Sequence, residues 1–95
     1  SPTDTVATGL ANCMLTVMGI KARNLEVDIS GAVAEVTKTM TSNPRRIAKI
    51  EVNIALPASV SEKHRKILEN TGNTCPVIYS LHPDIEKIIT YNWSQ

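Results

Sequence analysis

Val6, Leu10, Cys13, Val17 and Ile20 follow alternating four- and three-residue steps, which lays one apolar stripe along a helix. Met14 and Met18 widen the stripe, while Thr8, Asn12 and Thr16 recur every four positions as a narrow polar line. No charged residue stands between Asp4 and Lys21, so most of the circumference is apolar and the helix is expected at the centre of the fold. Ser1 suits the N-cap, Pro2 the first helical position, and Asp4 the first turn, where the helix dipole favours an anion. Lys21, Arg23 and Asn24 suit the opposite, negative end. A membrane span is not expected, because the apolar run is short and carries Thr, Asn and two Gly.

The period then changes from helical to alternating. Gly31 to Met40 is rich in Val, Ala and Thr, with Val33 and Glu35 on one face and Ala34 and Val36 on the other. Thr41-Ser42-Asn43-Pro44 reads as a turn. From Arg46 to Leu56, Ile50, Val52, Ile54 and Leu56 point one way and Lys49, Glu51 and Asn53 the other, which predicts a half-buried strand paired as a hairpin with the first. Ser61 caps a second predicted helix, Ile67 and Leu68 face inward, and Gly72 is expected to stop it. Cys75-Pro76 opens a short helical piece to about Leu81, and Ile85 to Tyr91 reads as a last strand. The predicted fold is a single α+β domain over residues 1–95, ordered α-β-β-α-(α)-β, with the long helix on an antiparallel sheet. Three short strands and two smaller helices cover such a helix poorly, so further chain or a second subunit is expected to supply the rest.

Composition narrows the function. The chain has 95 residues, enough for one core, with 42% apolar and 20% charged residues, the balance of a globular domain. A formal net charge of +1 gives no field to recruit nucleic acid or an anionic membrane, and neither is expected as a partner. Aromatics make up 3%, with no Phe, which argues against base-stacking platforms and leaves an aliphatic core.

The chemistry rests on Cys13 and Cys75, far apart in sequence. Two cysteines do not make the dense disulfide framework of a small secreted domain, and no secretory signal is present, so a cytoplasmic setting is expected. The pair could be buried structural thiols, a metal site or a redox pair. Metal is disfavoured, because no CxxC or HxxxH spacing occurs. Cys13 lies between Leu10 and Val17 and needs a nearby cation to become a nucleophile; none is adjacent in sequence. Cys75 precedes Pro76 at a helix start, where unpaired N–H groups favour a thiolate, so a reactive role and a capping role both fit. His64 lies among Glu62, Lys63, Arg65 and Lys66 on a charged face and reads as solvated; His82 reads as a turn residue bonded to backbone. Arg45-Arg46 reads as a turn or strand start.

The segments around both cysteines resemble the OsmC/Ohr family of thiol-dependent hydroperoxide reductases. Ser1-Pro2-Thr3-Asp4 leads to Leu10-Ala11-Asn12-Cys13-Met14, and Cys75-Pro76-Val77 leads to Ser80-Leu81-His82-Pro83-Asp84 and a closing strand. Gly31-Ala32, Pro44-Arg45-Arg46-Ile47 and Leu56-Pro57 also fit, so the resemblance runs over essentially the whole chain. It implies an intertwined homodimer with the long helix packed in the dimer and active sites at the subunit interface. It also implies an N-terminal strand segment that this chain lacks, since Ser1 already stands at a helix edge.

By that resemblance, Cys13 is the peroxidatic cysteine and Cys75 the resolving one, in reduction of organic hydroperoxides to alcohols during oxidative stress defence. Cys13 would become a sulfenic acid, condense with Cys75 to a disulfide, and be restored by a dithiol reductant, lipoyl-linked in some relatives. The resemblance requires no metal or organic cofactor. Peroxidase members carry a Glu ten residues before the peroxidatic cysteine, which helps fix an Arg beside the thiolate; here that position is Thr3, and Asp4 is one residue out of register. The Arg belongs to the segment before Ser1. Thr3 therefore also supports a second reading, a non-enzymatic dimer binding a small apolar or electrophilic ligand at its interface.

Overall fold

The computed structural model describes residues 1–95. It contains α1 (Pro2–Asn24), β1 (Val33–Thr41), β2 (Arg46–Ala55), α2 (Glu62–Asn73), α3 (Pro76–Ser80) and β3 (Glu86–Asn92). The expected α+β class and element order are observed, with the helices on one face of a three-stranded sheet ordered β1-β2-β3.

Helix α1 starts as its sequence dictates. The Ser1 Oγ accepts from the Asp4 backbone N–H at 3.2 Å, and the Asp4 carboxylate pairs with the Lys38 ammonium on β1 at 3.1 Å. The bond from Ser1 and then that from Lys38 hold the Asp4 carboxyl below its ordinary value. Asp4 is thus a first-turn acid that ties α1 to the sheet. At the other end Leu25 and Val27 donate back to Lys21 and Ala22, and Glu26 takes a left-handed φ of 57° to leave the helix.

The buried face of α1 differs from the expected stripe. Ala7, Leu10, Ala11, Met14, Met18 and Ala22 are buried, whereas Val6 is 42% and Ile20 57% exposed. The spacing identified one apolar edge, but Ala and Met on the adjacent face are what the sheet and α2 cover, because small Ala side chains let elements approach and Met fills irregular gaps. By length and composition α1 could also cross a membrane, contrary to the estimate from its apolar run. Leu10, Met14 and Met18, all fully buried against the other elements, mark it as a core helix here.

The sheet is mixed rather than antiparallel. β1 and β2 form the expected hairpin, running from Val33 opposite Ala55 to Thr41 opposite Arg46. β3 instead lies parallel to β2, with Lys49 opposite Glu86 and Ala55 opposite Asn92. The α2–α3 crossover returns the chain to the end of the sheet where β2 began, so β3 must run the same way. Ile50, Val52, Ile54 and Leu56 are all buried, as their alternation demands. Ile47 breaks that alternation yet is also buried, because the register shifts opposite Thr39 and Met40 and leaves Ala48 as an extra residue.

Gly72 does not end α2. It lies inside the last turn, and the helix closes at Thr74. A Cβ at Gly72 would stand 2.5 Å from the Tyr91 hydroxyl and 3.0 Å from the Met18 sulfur. Glycine is present there for close approach of α2 to α1 and β3, not for a left-handed cap.

Candidate functional site

Cys13 and Cys75 meet where α1 passes the junction of α2 and α3. Cys13 stands midway along the uninterrupted α1, so its position follows from the packing of Leu10 and Met14 on either side. Cys75 stands in the extended residue between two helices, as the N-cap of α3. The two thiols are free, and Cys13 is close enough to perturb the titration of Cys75. Cys13 is half-buried and Cys75 has no exposed surface.

Burial, first, pushes the Cys75 thiol above its ordinary value, and the contact with Cys13 adds to the rise. The backbone N–H groups of Ile78 and Val77 act the other way, without completing a side-chain cap. Protection from solvent therefore outweighs the helix start that the sequence suggested as an activator. The arrangement places one reachable sulfur near one shielded sulfur. No group of three or more His, Cys, Asp or Glu side chains is placed to hold a metal ion.

The other candidates lie apart from this pair. The backbone N–H of Asp84 donates to His82 Nδ1 at 3.0 Å, so His82 shapes its turn as expected. His64 is half-buried on α2 rather than fully solvated. Thr3, Arg46, Ile47, His82, Asp84 and Ile85 line a cavity of about 440 Å³ at the start of α1. Thr3 is ten residues from Cys13, about 15 Å along the helix.

The bonds that Tyr91 and Trp93 make to α2 escaped the sequence reading. The Tyr91 hydroxyl reaches both the Glu69 carbonyl at 3.1 Å and the Asn73 side-chain oxygen at 2.8 Å. Trp93 Nε1 donates to the Glu69 carboxylate at 2.8 Å, and the Arg65 guanidinium lies over the Trp93 ring, 5.6 Å from its centroid. Burial, then the charges of Glu69 and Cys75, raise the Tyr91 hydroxyl far above its ordinary value. A signal was present: Tyr91 and Trp93 are two of only three aromatic residues and stand two apart, at and just past the end of β3.

Comparison with known proteins agrees with this architecture. The family model for OsmC-like proteins matches residues 1–89. A proposed osmotic stress induced and detoxification response protein from Psychrobacter arcticus 273-4 is 49% identical, with a TM-score of 0.90 over 96% of this chain. The chain spans 66% of that protein, just under two thirds of its length. An OsmC-like protein from Mycoplasma pneumoniae is 18% identical, with a TM-score of 0.84 over 100% of this chain and 72% of its own. An organic hydroperoxide resistance protein from Elizabethkingia anophelis is 13% identical, with a TM-score of 0.80 over 98% of this chain and 68% of its own. At those identities the last two share the fold. No curated protein sequence matches the chain.

Proposed function

The chain belongs to the OsmC-like protein family, and on that premise we propose that it is a thiol-dependent peroxidase reducing organic hydroperoxides to alcohols. The observation that carries this reading is the proximity of Cys13 and Cys75, one reachable and one shielded. The hydroperoxide resistance named for the Elizabethkingia protein of the same fold supports the substrate class. In the proposed cycle, the Cys13 thiolate attacks the distal peroxide oxygen, the O–O bond breaks, and the alkoxide leaves as alcohol after taking a proton. Cys13 is then a sulfenic acid. Cys75 attacks its sulfur, the S–S bond forms, and hydroxide departs as water. A dithiol reductant, lipoyl-linked or similar, supplies the two electrons that reopen the disulfide.

The asymmetry of burial suits these roles. A peroxide must reach the first sulfur, whereas the second needs only to meet the first. Protonation of Cys75 also keeps it from competing for peroxide. On this reading residues 1–95 are one OsmC-like domain working in the cytoplasm as a homodimer, with a second copy covering the apolar side of α1 at Val6 and Ile20.

The test is consumption of cumene hydroperoxide with a dithiol reductant. Turnover is expected from the wild type and a loss to background for Cys13→Ser. Equal rates in the two proteins would end the proposal. A second reading, a dimer that binds a small apolar or electrophilic molecule without turning it over, is favoured by Thr3, which lines a mixed cavity with Arg46 and Asp84. Mass spectrometry after mild peroxide treatment separates them: a Cys13–Cys75 disulfide supports the enzyme, and two unmodified thiols the binder.

A further inference from the structure

The position of Cys75 is not set by its own helix. It occupies an extended residue, with φ −69° and ψ 153°, after the Thr74 cap of α2 and before a helix of five residues. Two short helices joined by one extended residue could pivot there. Core packing buries Cys75, and a further, polar hold on the junction comes from β3. The Tyr91 hydroxyl grips the last turn of α2 through the Glu69 carbonyl and the Asn73 side chain, and Asn73 stands two residues before Cys75. The grip is built in at close quarters, since Gly72 in the same turn leaves no room for a side chain against the Tyr91 oxygen. Tyr91 itself is anchored in register on β3, where it pairs with the buried Ile54 of the central strand.

From this geometry we infer that Tyr91 is a positioning residue for the resolving step, holding the end of α2 so that the Cys75 sulfur stands against Cys13. The inference rests on the peroxidase reading for its role in turnover, but the positioning is independent of peroxide chemistry. The step it serves is attack of the Cys75 sulfur on the Cys13 sulfur. The S–S bond forms, the S–O bond of the sulfenic acid breaks, and the departing hydroxide combines with the Cys75 proton to give water. Tyr91 touches neither sulfur's leaving group. It removes the search for the second thiol, and a misplacement of about 1 Å in such a step can cost up to ~100-fold in rate.

The experiment measures the rate of Cys13–Cys75 disulfide formation in the intact reduced protein by two routes. One uses a single equivalent of cumene hydroperoxide, with a sulfenic acid trap to score Cys13 that waits unresolved. The other uses diamide, which accepts two electrons and two protons from a dithiol and needs no peroxidase activity. Tyr91→Phe, which keeps the ring and removes the grip, is expected to slow disulfide formation by about tenfold on both routes, with more trapped sulfenic acid and unchanged peroxide consumption in the first turnover. Asn73→Ala is expected to act in the same direction. Ser61→Ala serves as the control for stability alone, because it removes the cap at the far end of α2 and should leave the rate unchanged. A wild-type rate in Tyr91→Phe, or equal slowing in Ser61→Ala, would overturn the inference. So would a wild type that diamide leaves as two thiols. A wild type that closes with diamide but does not consume cumene hydroperoxide would sink the peroxidase reading and leave the positioning role standing.

Discussion

The surroundings of Cys13 and Cys75 are held in place by different physics. Cys13 sits midway along a 23-residue helix whose inner face is fully buried at Leu10, Met14 and Met18. Its location is a consequence of helical rise and aliphatic packing. Cys75 sits between two short helices, buried in the same core, and the helix turn before it is bonded to Tyr91 on a strand more than ten residues later. A packed helix is stiff and insensitive to the loss of any one polar contact. A junction that also relies on two hydrogen bonds from one hydroxyl is open to loosening by one substitution.

The comparison can be broken first on the packed side. Met14→Ala is expected to cost about 2–5 kcal/mol, read as a lower melting temperature or denaturant midpoint, since it opens a cavity beside Cys13. Gly72→Ala should cost roughly 1–3 kcal/mol, because its new Cβ must displace the Tyr91 oxygen or the Met18 sulfur. Its effect on disulfide formation should exceed that of Met14→Ala although its effect on stability is smaller. If the two variants rank the same way in both measurements, the two regions are not held differently. Ser61→Ala should cost about 1 kcal/mol of stability through the lost bond to the His64 N–H.

Titration sharpens the comparison further. The Tyr91 pKa is raised in the folded state, so the native protein keeps the proton that the unfolded chain releases above the ordinary tyrosine value of about 10. The unfolded state then binds fewer protons, and stability falls as pH rises from that value toward the raised one. Below it the contribution is constant. Denaturant midpoints taken from pH 9 to pH 11 should therefore drop less in Tyr91→Phe than in the wild type; parallel drops would show that Tyr91 is not held in its buried bonds. The smallest effect is expected on the outer side of α1. Ile20→Ser should change the stability of a single copy by no more than about 0.5 kcal/mol, because Ile20 is 57% exposed there. A larger loss that varies with protein concentration would place a second copy on that face.

Much of the fold was legible in the sequence, because local signals agreed with tertiary ones. The cap at Ser1, the acid at Asp4, the alternation from Ile50 to Leu56 and the turn role of His82 are all short-range effects, and each is observed. The errors share a cause. The stripe through Val6 and Ile20 is equally apolar in sequence, and nothing in its spacing says which side the sheet covers. Gly72 carries the mark of a helix stop, and only the approach of Tyr91 and Met18 reveals another reason for glycine. The direction of β3 depends on where a crossover ends, which no periodicity within β3 encodes.

By itself the sequence determined the element order, the aliphatic core and the two cysteine segments, since these follow from residue types and spacings a few positions apart. Only the tertiary structure decided that Cys75 is shielded rather than activated, that it lies near Cys13, and that Tyr91 holds the turn beside it. The physical reason is that desolvation and long-range hydrogen bonds depend on which distant residues are brought together. A helix start read locally promises a lower thiol pKa, but burial by other elements outweighs it.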